Sequence, residues 1–285
     1  MAPALSLVVS TIGRPALLTR LVRSLCVEAA SASFELIVVD QSDSLSAHDV
    51  VRDNAVGYPW SVHTSARGVS LGRNLGLARA SSPLVAFPDD DCWFPGTTLA
   101  KAIYLLEADT QLSGLTAMLR DGEGHPTMLR WAPSGRLVTR NNYYRTSIGP
   151  TVFTRTSQAL QVGGFDEQVG PGAGTPFGSC EDADLLLRLV EHGPVAYHPE
   201  LWVHHDEIQA TLEASLCDKM YGYGRGQAWF WRRHDYPWWH MAHFLGRKMA
   251  KIALYSAGGR VADVATDRAF LRGAFGGLAQ GRDVR

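Results

Sequence analysis

Three carboxylates stand in a row at Asp89, Asp90 and Asp91, directly after the apolar run 84–87 and directly before Cys92, Trp93 and Phe94. Adjacent like charges repel, and a solvated loop is the ordinary place for such a run. Here a buried-type strand leads in, and aromatics with Pro95 follow, so the charges are pinned at a rim. Clustered carboxylates suit hard divalent cations such as Mg2+ or Mn2+, and a site with one or two of them leaves coordination positions for substrate phosphates. The chemistry on offer is a cation bridging the protein to a diphosphate. A second acidic group, Glu181, Asp182 and Asp184 in "GSCEDADLLLRLVEHG", opens a helical pattern. The helix dipole favours carboxylates there, and capping would account for Ser179 or Asp184. Six glycines among the 18 residues 163–180 also let a ligand approach closely. A carboxylate at that place can act as general base toward a hydroxyl. His204 and His205 end the strand-like "ELWVHH". Neighbours on a strand point to opposite faces, so at most one of them faces a site. A hydrogen-bonded rim histidine and a metal or diphosphate contact are both open readings.

The elements that position these groups follow from periodicity. The run 5–10 is apolar and β-rich, and "TIGRP" ends it. Leu17, Leu18, Leu21, Val22 and Leu25 share one helical face. "FELIVVD" is a second buried-type strand, 49–54 a short helix, "WSVHTS" a weak strand, 72–80 a helix and 84–87 a strand. This β-α-β-α-β-α-β order predicts a parallel α/β sheet, whose ligands sit beyond the carboxyl ends of the strands. Asp40 and the Asp89–Asp91 triplet end two such strands, so they fall on one rim. Residues 111–160 predict two or three antiparallel strands, 163–180 a loop, 181–192 a helix and "VAYHPELWVHHD" a strand. From Thr211 onward the pattern is helical, basic and aromatic.

Composition narrows the class. The chain has 285 residues, 46% hydrophobic and 19% charged, with a net charge of −1. That fits a globular protein with a real core and no general affinity for nucleic acid. Cys26, Cys92, Cys180 and Cys217 form no CxxC pair and predict free thiols in a reducing compartment. The N-terminal run lacks a basic lead, so a first strand is expected rather than a signal peptide. No apolar run is long enough to predict a membrane span.

In order and spacing, "LSLVVSTIGRPALLTRLVRSL", "FELIVVDQSD", "GVSLGRNLGLARA", "LVAFPDDDCWFP", "GGFDE" and "EDADLLLRL" resemble the family 2 glycosyltransferases over about residues 4–206. "YGYGRG" and "RAFLRGAFGGL" resemble one subgroup of that family. The resemblance implies the GT-A type of α/β fold: a Rossmann-like, mostly parallel central sheet with helices on both faces, plus a helical C-terminal appendage. It implies a catalytic domain at 1–206, with a nucleotide-binding half at about 1–110 and an acceptor half at about 111–206, and an appendage at 207–285. It further implies metal-dependent transfer of a sugar from a nucleotide-sugar donor to a saccharide or lipid-linked saccharide, with inversion, in cell-surface polysaccharide synthesis. On this resemblance Asp40 would read the nucleobase, and Thr11 and Arg14 would line the same first loop. Arg67 and Arg73 would reach the base or diphosphate. Asp89 and Asp90 would face the ribose and donor sugar. Asp91 would ligate Mn2+ or Mg2+, with His204 as the nearer histidine. Asp182 would be the catalytic base, assisted by Glu181. Ile12 stands where many members carry an aromatic that stacks on the base. Asp40 favours UDP, while GDP- and dTDP-linked donors stay open.

Two alternatives are a nucleotidyltransferase of the same fold and a non-catalytic glycosyltransferase-like partner. The first calls for a glycine-rich, lysine-bearing first loop, whereas "STIGRP" has one glycine and no lysine. The second would be expected to have lost one of the acidic clusters. The tail holds Trp229, Trp231, Trp238 and Trp239 among seven Arg and Lys between 225 and 260. It predicts either a helical cover for the catalytic domain or peripheral contact, through Arg247, Lys248 and Lys251, with the cytoplasmic face of a membrane.

Overall fold

The computed structural model describes residues 2–206 and 214–279. Thr211, where the helical tail is expected to begin, lies outside the described residues, as do the rest of 207–213 and the C-terminal 280–285. The chain divides into two compact units, Met1–Asp166 with Asp182–Glu207, and Glu167–Glu181 with Ile208–Arg285.

In the first unit β1 (Leu5–Thr11), β2 (Phe34–Asp40), β3 (Trp60–Thr64) and β4 (Leu84–Ala86) alternate with α1 (Pro15–Glu28), α2 (Ala47–Asn54) and α3 (Val69–Leu77). There follow β5 (Cys92–Trp93), α4 (Thr98–Ala108), β6 (Gly114–Arg120), β7 (Arg136–Leu137), β8 (Val152–Arg155), α5 (Thr156–Gln161), α6 (Glu181–His192) and β9 (Val195–His205). They build one sheet in the order β3-β2-β1-β4-β8-β6-β9-β5, with β7 paired to β9. β3, β2, β1 and β4 run parallel. β8 enters antiparallel between β4 and β6, while β6 and β9 are parallel. The all-apolar reading of β1 and β2 has a physical cause: Leu7, Val8, Val9, Leu36, Val38 and Val39 are wholly buried, as strands covered on both faces must be. α1 starts at Pro15, which needs no N–H partner there. It turns Leu18, Leu21, Val22 and Leu25 into the core, while Leu17 of the same expected face stays half-buried.

α3 begins at Val69, three residues before the expected start, and α4 lacks any capping side chain of its own. The cap of α4 comes from α1. Wholly buried Glu28 accepts from the backbone N–H groups of Gly96 (2.8 Å), Thr98 (3.1 Å) and Leu99 (3.0 Å). One and two turns earlier on the same stripe, Ser24 Oγ accepts from Phe94 N at 3.0 Å, and Arg20 Nη2 donates to the Asp91 carbonyl at 2.7 Å. Arg20 also lies 3.8 Å over the Trp93 ring. One stripe of α1 therefore grips the whole segment 91–99 that follows the carboxylates.

The second unit contains α7 (Ala214–Arg233), α8 (Trp238–Ala257) and α9 (Val261–Ala279). α7 and α9 meet backbone to backbone. A Cβ at Gly224 would run into the Phe270 carbonyl, and one at Gly273 into the Tyr221 carbonyl. Gly222 accepts from Gly178 N at 3.1 Å, and Ser179 Oγ donates to the Tyr223 carbonyl at 3.0 Å. The glycines of "YGYGRG" thus serve close packing. Among the described residues no helix is long and apolar enough to cross a membrane, and the four cysteines are free.

Removing the buried Glu28 carboxylate orphans three N–H groups. Glu28→Ala is expected to lower unfolding free energy by about 2–4 kcal/mol in urea denaturation, and Glu28→Gln by less, because its amide oxygen still accepts.

Candidate active site

β4 ends in the core, and the chain turns outward at Pro88, so the triplet emerges beside the carboxyl ends of β1 and β2. Each carboxylate has its own partners. Asp89 Oδ1 pairs with Nη2 of buried Arg73 at 2.7 Å. Asp90, wholly buried, accepts from Thr11 Oγ1 at 2.6 Å and from Arg14 Nε at 3.2 Å, and also makes a close ion pair with Arg14 Nη2. Burial pushes the Asp90 carboxyl up, against the pull of Thr11 and Arg14. Asp91 Oδ2 pairs with Arg14 Nη1 at 2.9 Å, while Oδ1 lies 3.3 Å from His205 Nε2. Burial would raise Asp91, yet His205 and Arg14 outweigh it and draw it down to about 2. Of the three, Asp91 is the carboxylate held most firmly anionic.

The two-residue strand β5 decides which histidine reaches the triplet. Cys92 pairs with His205 and Trp93 with His204. Trp93 and His204 therefore share a face and stack, 5.1 Å between centroids. His204 Nδ1 lies 2.7 Å from the Asp121 carbonyl, and Nε2 accepts from Trp202 Nε1 at 3.3 Å. Both its ring nitrogens are used, so it has none to offer a cation. His205 is the histidine at Asp91, in place of the expected His204. Its Nδ1–H donates to the Asp206 carbonyl at 2.5 Å, which turns Nε2 toward Asp91 Oδ1. That oxygen is buried and receives no other hydrogen bond. Without a ligand a proton on Nε2 serves Asp91; a bound cation would take that place between the two atoms. Asp91 and His205 thus fit a divalent ion as a partial ligand set, with further positions left for phosphate oxygens. Among the described residues no group of three or more His, Cys, Asp or Glu is arranged as a complete metal cage.

Asp182 comes to the same rim from α6. Its Oδ2 accepts from Gly149 N at 2.7 Å and its Oδ1 from Ala183 N at 2.8 Å. A Cβ at Gly149 would lie 3.2 Å from Asp182 Oδ2 and 3.6 Å from Arg73 Nη2. The missing side chain there lets Arg73, already bonded to Asp89, share a corner with Asp182. Asp182 and the Asp89-bound Arg73 thus line the same small space at Gly149. Asp184 takes a different part: wholly buried, it binds Arg188, which donates to the Val162 and Gly164 carbonyls and ties α6 to that turn. Glu181 is buried at the first position of α6.

Asp40 is buried, and both its oxygens accept from its own loop. Ser42 N (2.9 Å) and Ser42 Oγ (2.6 Å) bond Oδ1, and Ala47 N (2.9 Å) bonds Oδ2 at the start of α2. Arg67 is exposed and lies 3.6 Å from Asp43. Gln41, which motif reading passes over, fastens the neighbouring loop: its Nε2 donates to Ser65 Oγ, Ala66 O and Gly68 O at 2.6–2.9 Å. Arg20, Glu28 and Gly149 are also beyond motif reading, because each acts through a partner distant in sequence; for His205 only the choice over His204 was. The one available signal is the i, i+4 stripe of Arg20, Ser24 and Glu28 on α1.

Sheet order and rim are those of a GT-A glycosyltransferase fold, and residues 6–161 match the family model described as glycosyl transferase family 2. The chain belongs to that family. It is 29% identical over 195 residues to the succinoglycan biosynthesis protein ExoM of Rhizobium meliloti (strain 1021), covering 64% of this chain and 60% of that one. The chain thus spans less than two thirds of that relative's length. The mannosyltransferase PcManGT from Pyrobaculum calidifontis, solved in complex with GDP-Man and Mn2+, superposes with a TM-score of 0.64 at 16% identity, over 98% of this chain and 88% of that one. S. aureus TarS 1-349, solved in complex with UDP-GlcNAc, gives 0.58 at 20% identity, over 79% and 65%.

The Asp91 carboxylate raises the His205 midpoint above 6.5. In an NMR titration without metal, His205 is expected to titrate above the ordinary histidine range, and Asp91→Asn to lower that midpoint. Saturating Mg2+ is expected to lower it as well, since a cation at Nε2 competes with the proton.

Proposed function

We propose that this chain is a metal-dependent, inverting glycosyltransferase that moves a sugar from a nucleotide-sugar donor to a hydroxyl of a saccharide or lipid-linked saccharide. The observation that carries the reading is the space at Gly149, lined by Asp182 and by the Arg73 that holds Asp89. It sets a donor-side carboxylate and a candidate base around one space. Residues 1–206 would be the catalytic domain, 1–110 its donor half and 111–206 its acceptor half, with 207–285 an appendage.

Asp91 and His205 would hold Mn2+ or Mg2+, which when bound offsets the charge that develops on the departing diphosphate. Asp89 and Asp90, oriented by Arg73, Thr11 and Arg14, would accept from donor hydroxyls. Asp182 has lone pairs beyond those that Gly149 N and Ala183 N occupy. It would take the proton of the acceptor hydroxyl as that oxygen attacks the anomeric carbon. The bond from that carbon to the diphosphate breaks on the opposite side, which inverts the centre. Glu181 would assist Asp182. A UDP-sugar is the favoured donor: Oδ2 of Asp40 accepts one bond and could take an imide N–H as a second, with Arg67 nearer the base or diphosphate. Cell-surface polysaccharide synthesis would be the setting, in keeping with the similarity to the succinoglycan biosynthesis protein ExoM, and the basic, aromatic tail would place it at the cytoplasmic face of a membrane. The family match weighs against a nucleotidyltransferase, and two intact acidic clusters weigh against a non-catalytic partner.

The full chain with Mn2+ and a panel of nucleotide sugars is expected to hydrolyse or transfer from one of them, and Asp91→Ala to abolish this. Asp182→Asn is expected to retain donor binding by calorimetry while turnover falls about a hundredfold or more. No binding of any donor would reject the proposal, and loss of donor binding in Asp182→Asn would reject the role given to Asp182.

A further inference from the structure

α8 is a 20-residue helix in which Leu245 alone is buried. Its inner side is accounted for within its own unit. Phe244 packs on Trp231 and Phe270 at 5.3 and 6.1 Å, and Lys248 and Lys251 both pair with Asp267 of α9. Its outer side is mostly apolar and is left exposed by the described residues. Trp238 is 77% exposed, Trp239 60%, Met249 50% and Leu254 70%. The exposed residues that share this face on the helical wheel are Ala242, Ala250, Ala253 and Ala257, with His243 and Ser256 its polar members. Arg247 is exposed at the edge of this face. The structure also separates the four clustered tryptophans: Trp231 is wholly buried and Trp229 leans on Phe177, so only Trp238 and Trp239 face outward.

Charge identifies the occupant. α8 contains no Asp or Glu. Residues 214–279 carry ten Arg and Lys against four Asp, in a chain whose net charge is −1. A basic segment on a near-neutral chain calls for an anionic partner. A second copy of this face would offer Arg247 no acid, since α8 has none, while Lys248 and Lys251 are already met by Asp267. The helix is not apolar enough to cross a bilayer. An amphipathic helix with exposed tryptophans and a basic edge is suited to lying in the plane of a membrane surface.

We propose that the outer face of α8, with Trp238, Trp239, Met249 and Leu254 inserted and Arg247 at the headgroups, docks this protein on an anionic lipid bilayer. This deepens the membrane setting given above and does not depend on the transfer reaction. That setting would bring a lipid-linked acceptor and the enzyme onto one surface.

Flotation of the full chain with vesicles tests it. The protein is expected to float with phosphatidylcholine–phosphatidylglycerol vesicles, much less with phosphatidylcholine alone, and less as salt is raised. Arg247→Glu is expected to cut the bound fraction about five-fold. The triple variant Trp238→Ala/Trp239→Ala/Leu254→Ala, checked for unchanged far-UV circular dichroism, should not float. Donor binding by calorimetry should be unchanged in both, which keeps failure here distinct from failure of the catalytic reading. Equal recovery with and without vesicles overturns the proposal, and so does undiminished flotation of the triple variant. A concentration-dependent dimer in sedimentation that the triple variant abolishes would assign the face to a second copy instead.

Discussion

Three consecutive carboxylates at the end of a buried strand are tolerable only if each finds a separate counter-charge. Asp89 has Arg73, Asp90 has Arg14 with Thr11, and Asp91 shares Arg14 and faces His205. Those partners come from the first loop, from α3 and from the last strand, so the triplet dictates how those parts must converge. Removing a counter-charge from a buried carboxylate is far costlier than the net worth of the pair. The arrangement is therefore better understood as a fixed electrostatic template than as a source of stability.

The template is held from behind by α1. Arg20, Ser24 and Glu28 bind the chain just past the triplet, and Glu28 starts α4. Asp91 thus sits between a gripped segment on one side and β9 on the other, which fixes its direction without a ligand. The second acidic cluster reaches this template because residue 149 is glycine. Arg73, bonded to Asp89, and Asp182 then line one space at that glycine.

Much of this was legible in the residues. The alternating strands and helices up to β4, the carboxylates at the strand ends and the helix at Glu181 follow from periodicity and turn chemistry. Other features were not. α4 is capped from α1, 70 residues earlier, so its own first turn shows no signal. His205 rather than His204 reaches Asp91 because of the two-residue pairing of β5 with β9, and a two-residue strand has no period to detect. The bonds from Ser42 and Ala47 that orient Asp40 were not legible either, because they depend on how the following loop folds back. The tail read as uniformly aromatic and basic. Only packing distinguishes Trp231, in the core of its unit, from Trp238 and Trp239 on the surface.

The central claim is that Asp91 Oδ1 and His205 Nε2 face each other in order to share a cation with a nucleotide diphosphate. Anomalous diffraction at the manganese edge, from crystals grown with Mn2+ and UDP, tests it most directly. A single strong peak between those two atoms and against the diphosphate oxygens is expected. Bound nucleotide with no manganese beside Asp91, or manganese held at another group of side chains, would contradict it.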